Sequence, residues 1–184
     1  MRVDPGELPG VLVIEPRVFQ DARGFVFESY RADQYSKSGV SIPFVQDTST
    51  HSAAGVLRGL HFQLRRPQAK LIRVVRGSVW DVIVDVRRGS PTFGRWTALE
   101  LSEQNRLQLF VPAGFAHGFC VVAGEADVEY KTSDYYDAED QHGVAWNDPV
   151  LRIPWPVRSP LLSERDRLLR PLTPDRDDLP SYTA

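Results

Sequence analysis

Four side chains able to move protons or hold anions fall within 13 residues: Arg58, His61, Gln63 and Lys70. They lie in Gly55-Val56-Leu57-Arg58-Gly59-Leu60-His61-Phe62-Gln63 and Gln68-Ala69-Lys70. An imidazole titrates near neutrality, so His61 can take or give a proton. Fixed cations such as Arg58 and Lys70 can hold an anion or a developing oxyanion. A lone histidine in an apolar strand is more often a hydrogen-bonded core residue; here its company points to chemistry. If 58–63 is a strand, His61 and Gln63 share a face. Arg58 then lies on the other face unless a bulge at Gly59 re-aims it.

A second histidine, His117, stands in Pro112-Ala113-Gly114-Phe115-Ala116-His117-Gly118-Phe119. A small double-sheet barrel can bring both histidines into one cavity. Barrel metal sites of that kind use a His-x-His pair with a carboxylate and a later histidine. Gln63 stands where the second histidine would be, so the ligand set is poor and no metal is expected. Arg23, Arg58, Lys70 and Arg165 form a cation group. Each alone reads as a solvated surface charge, but Arg23 and Arg58 adjoin glycines that permit close approach of a ligand. Two arginines can hold a diphosphate through paired hydrogen bonds. Tyr130 reads either as core or as a proton donor on a cavity-facing strand. Tyr136, in the turn Asp134-Tyr135-Tyr136-Asp137, can offer a stacking face to a base.

The elements that must position these groups read mostly as strands. Lys70–Val75 ends at Arg76-Gly77, and Ser78–Val86 ends at a Gly-Ser-Pro turn. In the second of these, Trp80, Val82, Val84 and Val86 make an apolar face. Val79, Asp81, Ile83 and Asp85 make the other, where two carboxylates suggest a polar cavity. Further strands are expected at Trp96–Leu101, Leu107–Val111, Gly118–Val122 and Ala126–Thr132, with extended chain at Leu12–Glu15 and Gly24–Tyr30. Helical signals are confined to 31–37 and to a turn capped by Ser163 in Ser163-Glu164-Arg165-Asp166. Strands this dense, without interleaved helices, predict an all-β antiparallel double-sheet sandwich or barrel. Six prolines after residue 153 make 152–184 an irregular arm laid on the surface.

The composition suits one soluble domain of 184 residues, 42% hydrophobic and 25% charged. No apolar run approaches the roughly 20 residues of a membrane helix, and no apolar signal core opens the chain, so a cytoplasmic protein is expected. Its single cysteine, Cys120, suits a reducing compartment. A net charge of −2 argues against charge-driven nucleic-acid binding. No Walker A loop or Gly-x-Gly-x-x-Gly is present, so ATP hydrolysis and Rossmann-type NAD binding lack support.

Taken in order, the motifs resemble the dTDP-4-dehydrorhamnose 3,5-epimerase family of cupin-superfamily sugar-nucleotide epimerases. The resembling residues are Asp21-x-Arg23-Gly24-Phe25-x-Phe27-Glu28, Val45-Gln46-Asp47, the Gly55–Gln63 run, Gln68-Ala69-Lys70, Gly89-Ser90-Pro91-Thr92-Phe93-Gly94 and Pro112-x-Gly114-Phe115-Ala116-His117-Gly118-Phe119. Tyr130-Lys131, Tyr135-Tyr136, Trp146-Asn147-Asp148-Pro149 and Leu162-Ser163-x-x-Asp166 follow. The resemblance implies a cupin-like jelly roll spanning 1–184 as one domain, and a homodimer that exchanges N-terminal strands. It also implies no cofactor and a dTDP-4-keto-6-deoxy-hexose substrate. His61 would be the base, Asp166 its carboxylate partner, Lys70 the enolate stabiliser and Tyr130 the acid. Arg23, Phe25, Glu28, Gln46, Asp47, Thr48, Arg58, His117, Gln141 and Arg165 would bind nucleotide and sugar, and Tyr136 would stack on thymine.

Three positions depart from the family pattern: Thr48 stands for an Asn, Gln141 for a Glu and Arg165 for a Lys. None removes the implied base, acid or enolate stabiliser. Epimerisation at C3 alone or C5 alone remains an alternative to double epimerisation, with a sugar-nucleotide 3,4-ketoisomerase the next enzyme class. A metal-dependent oxygenase and a non-catalytic sugar-binding barrel are the remaining readings.

Overall fold

The computed structural model describes residues 1–183. Thirteen strands dominate it. In chain order they are β1 (Arg2–Pro5), β2 (Leu12–Glu15), β3 (Val18–Asp21), β4 (Gly24–Phe27), β5 (Gln46–Ala53), β6 (Leu57–Gln63) and β7 (Lys70–Arg76). Then follow β8 (Ser78–Asp85), β9 (Trp96–Ser102), β10 (Gln108–Val111), β11 (Phe115–Val121), β12 (Glu125–Thr132) and β13 (Gln141–Gly143). Two short helices complete the chain, α1 (Ala32–Lys37) and α2 (Glu164–Arg167). Among the described residues no helix is long and apolar enough to cross a membrane.

The strands form a six-stranded sheet in the order β1-β2-β10-β7-β12-β5 and a five-stranded sheet in the order β13-β6-β11-β8-β9. The ladders within both are antiparallel. The sheets pack face to face, which is the expected double-sheet jelly roll. Their shared interior holds Ile72, Val74, Val79, Ile83, Leu109, Phe115, Phe119 and Val128, all buried. Burying each such side chain contributes about 1.5–3 kcal/mol.

The valine face of β8 is core as expected, although not the core between the sheets. Val82, Val84 and Val86 point outward from the five-stranded sheet and are covered by Leu151, Ile153, Leu172 and Leu179 of the C-terminal segment. The segment is irregular, as expected for 152–184. It is also a third layer over that sheet, with Ile153, Leu172 and Leu179 buried. Prolines deny it a strand, and its apolar side chains still find a hydrophobic face. On the far side, α1 packs Tyr35 against Ile14, Leu71 and Phe110 of the six-stranded sheet.

The hairpin of β3 and β4 pairs with neither sheet. It presents Phe19, Phe25 and Val26 with half or more of each side chain exposed.

Candidate active site

The interior polar groups gather around one cavity of about 700 Å³ that opens between the sheets. That volume suits a small-molecule ligand. Lys70, Tyr130, Gln46 and Thr48 reach it from the six-stranded sheet, and Arg58, His61 and His117 from the five-stranded sheet.

A bulge sets the direction of the central strand. On β11, His117 pairs with His61 and Phe119 with Arg58, so two steps on one strand face three on the other. The extra residue falls at Gly59-Leu60, and it turns Arg58 and His61 into the same cavity. Gly59 adopts a φ of 132°, and a Cβ there would stand 2.5 Å from the Gly118 Cα. Only glycine allows both the backbone angle and the approach of β11.

His61 has the partner that a base needs. Its Nε2 lies 2.6 Å from Asp166 Oδ1. A carboxylate accepts, so Nε2 carries hydrogen and Nδ1 carries the free lone pair. The two residues are 105 positions apart, and several contacts bring them together. Val56 forms a parallel bridge with Leu161, and Leu57 N–H donates to the Leu161 carbonyl. The Ser163 Oγ then accepts from Asp166 N–H at 3.1 Å, capping α2 as expected. Arg165 donates to the Ala138 and Gln141 carbonyls and ties the helix to β13, which itself pairs with β6 beside His61. Arg165 lines the cavity with part of its guanidinium already committed to the fold.

Tyr130 and Lys70 occupy the opposite wall. Burial raises the Tyr130 phenol above its ordinary value, so it keeps its proton and can donate it. Burial pushes the Lys70 ammonium down to about 8, with the charge of Asp81 opposing the shift. Asp81 is the member of the β8 carboxylate pair that serves the cavity. It is fully buried and accepts from His117 Nε2 at 2.8 and 3.0 Å. Asp85 does not serve it: the carboxylate binds Arg87, Ser90 and Thr92 and shapes the turn after β8.

At the mouth, Tyr136 is held at both ends. Its N–H donates to Gln46 Oε1 and its hydroxyl donates to Gln141 Oε1 at 2.6 Å. Gln46 in turn donates to Thr48 Oγ1. Two of the three departures from the family pattern therefore belong to one network around the aromatic. Gln63, beside the cavity, spends its amide on the Arg66 and Tyr135 carbonyls and on Asp137 N–H. It fastens loops. Among the described residues no group of three or more His, Cys, Asp or Glu side chains converges in a metal-like cluster.

Four expected binding residues lie elsewhere. Asp47 sits between Gln46 and Thr48 on β5, and successive strand residues face opposite ways. It points outward and pairs with Lys131 at 2.9 Å. Arg23, Phe25 and Glu28 belong to the projecting hairpin and the chain just after it, outside this chain's cavity. Arg23 pairs with Asp21, Phe25 lies under the Arg106 guanidinium, and Glu28 reaches Arg31. Thr50, Thr132 and Leu161 also line the cavity and belong to no motif.

A family model described as dTDP-4-dehydrorhamnose 3,5-epimerase matches residues 5–173. The chain belongs to this epimerase family. A dTDP-4-dehydrorhamnose 3,5-epimerase from Pseudomonas aeruginosa is 52% identical over 162 residues, covering 87% of this chain and 90% of that protein. The crystal structure of a 3,5-epimerase from Legionella pneumophila, in complex with dTDP-4-keto-L-rhamnose, superposes with a TM-score of 0.95 at 41% identity. It covers 100% of this chain and 99% of its own. A 3′-monoepimerase from Streptomyces bikiniensis, in complex with dTDP-quinovose, superposes with a TM-score of 0.91 at 36% identity, over 97% of this chain and 92% of its own. The protein is thus an enzyme of the dTDP-4-dehydrorhamnose 3,5-epimerase type, as the ordered motifs imply. The fold is shared by double and single-site epimerases alike.

Proposed function

We propose that this epimerase acts on a dTDP-4-keto-6-deoxy-hexose, inverting C3 and C5. Both carbons adjoin the C4 ketone, so each C–H is acidified by the carbonyl and each deprotonation gives an enolate. His61 Nδ1 removes the proton, and Asp166 holds the ring and stabilises its charged form. Lys70 stabilises the enolate oxygen. Tyr130 returns a proton from the other face. Arg58 and His117 hold the diphosphate and sugar, and Tyr136 stacks on the base.

The observation that carries this reading is the placement of the imidazole and the phenol on opposite walls of one cavity. Inversion needs a base on one face of the carbon and an acid on the other. Retention by a single group would not need Tyr130. The test is proton NMR of dTDP-4-keto-6-deoxy-glucose incubated with the enzyme in D2O. Deuterium at C3 and C5 is expected. Deuterium at one carbon only would make the enzyme a single-site epimerase, and none at either would remove this substrate.

Tyr130→Phe separates the two half-reactions. Deuterium exchange at C3 should continue while inversion at C5 slows more strongly, because removal proceeds and return fails. Equal loss of both would take the acid role from Tyr130.

We further propose that the enzyme is a homodimer in which the β3–β4 hairpin serves the partner. Its Phe19, Phe25 and Val26 stand half or more exposed in the single chain, and Arg23 and Glu28 sit beside them. Sedimentation equilibrium reads the mass directly, and a monomer under assay conditions would end the proposal.

A further inference from the structure

We propose that Gln63 is a positioning residue for nucleotide binding: its side-chain amide fixes Tyr136 at the mouth of the cavity by holding the loop that carries it. The inference rests on the reading of Tyr136 as the aromatic that stacks on the base. Gln63 ends β6, two residues after His61, and only 4% of it is exposed. A buried amide needs partners for its donors and its acceptor. Those of Gln63 all lie in loops. Nε2 donates to the Arg66 carbonyl at 2.9 Å and to the Tyr135 carbonyl at 3.4 Å. Oε1 accepts from the Asp137 N–H at 2.8 Å. One side chain thus grips the backbone on both sides of Tyr136.

Three strands triangulate the aromatic. Between the two groups that Gln63 holds, the Tyr136 N–H donates to Gln46 Oε1 of β5 at 2.9 Å. The Tyr136 hydroxyl donates to Gln141 Oε1 at 2.6 Å, and Gln141 opens β13 directly opposite Gln63 in the ladder. The turn after β6 is fixed in its own right. The Asp140 carboxylate, fully buried, accepts from the Arg65 and Arg66 N–H groups at 2.9 and 2.8 Å. The Arg66 carbonyl that Gln63 reaches therefore belongs to a held segment. The Tyr136 ring is half exposed, so packing alone does not fix it. Its place comes from its backbone and its hydroxyl. Because Gln63 and His61 share one strand, the stacking aromatic is referenced to the imidazole. A ring already in place binds a base more tightly, since no loop has to be ordered on binding.

The experiment is a double-mutant cycle read by isothermal titration with dTDP. Gln63→Met keeps the length and bulk of the side chain but has no amide. It should weaken dTDP binding about tenfold or more, as should Tyr136→Ala, because a base–aromatic stack contributes roughly that much. In the Tyr136→Ala background, Gln63→Met should cost less than about twofold, since its effect passes through the ring. Amide hydrogen exchange of peptides spanning 134–137 should speed up in Gln63→Met, while peptides of β8 and β11 keep their rates. The same loss with and without the Tyr136 ring would make Gln63 a merely structural residue and overturn the inference. So would dTDP affinity within about twofold of the unsubstituted enzyme, or unchanged exchange across 134–137. If Tyr136→Ala alone leaves dTDP affinity unchanged, the stacking reading falls and takes the inference with it. A loss in Tyr136→Ala without one in Gln63→Met overturns the inference alone. Should Gln63→Met not fold, Gln63→Glu carries the cycle. It keeps the shape and the acceptor for the Asp137 N–H, loses both donors, and must show the same coupling.

Discussion

His61→Ala should lower kcat for deuterium exchange at both C3 and C5 by about 1,000-fold or more, with dTDP affinity changed by less than a few-fold. General base catalysis typically supplies 10²–10⁴-fold, on the order of 3–5 kcal/mol of barrier. The upper part of that range is expected because Asp166 is placed to stabilise the charged imidazole. The binding arm matters as much as the rate. Arg58 holds Ser52 and the His51 carbonyl, and Tyr136 holds Gln46 and Gln141, without help from His61. The anion and base contacts therefore survive the truncation. Isothermal titration with dTDP beside the NMR exchange assay checks both halves. Near-normal exchange would move the base elsewhere. Lost binding would make His61 a structural residue.

Asp166→Asn should cost at least about 100-fold, or roughly 2.7 kcal/mol of transition-state stabilisation. The carboxylate accepts from His61 Nε2 at 2.6 Å and is almost fully buried. When the imidazole takes the substrate's proton it becomes a cation, and Asp166 is the anion that meets it. An amide keeps the shape but not the charge. Its NH2 group can also donate to Nε2, which would place the ring proton on Nδ1 and remove the lone pair from the cavity. Steady-state rates on the folded variant, with its melting temperature as control, decide this. A near-normal rate would mean that His61 works with a different partner.

Much of this was legible in the chain, for reasons that differ from element to element. The valine alternation in 78–86 and the turns at Arg76-Gly77 and Gly89-Ser90-Pro91 marked β8 because half-buried strands alternate. β5 was missed: Gln46–Ala53 is a polar edge strand with no apolar face, so periodicity is silent there. The bulge at Gly59 was legible as an alternative, since glycine beside a polar pair is where a ladder slips. The outward side chain of Asp47 follows from the same pleat. Three neighbours on one strand cannot share one cavity, and the motif that joined them ignored the pleat. Asp81 was marked by its place on an apolar strand. Its partner, His117, sits 36 residues away and became visible only when β8 and β11 were paired.

The C-terminal layer has a consequence for how activity arises as the chain is made. β6 carries His61, yet the carboxylate that pairs with it lies 105 residues later. A ribosome that has delivered all thirteen strands has delivered an imidazole without its anion and a five-stranded sheet with a bare apolar face. The completed His61–Asp166 pair and the cover over that face both depend on residues after 150. A chain cut short in this stretch would lack both the partner of His61 and the cover of an apolar sheet face, so one closing event completes the pair and hides the surface.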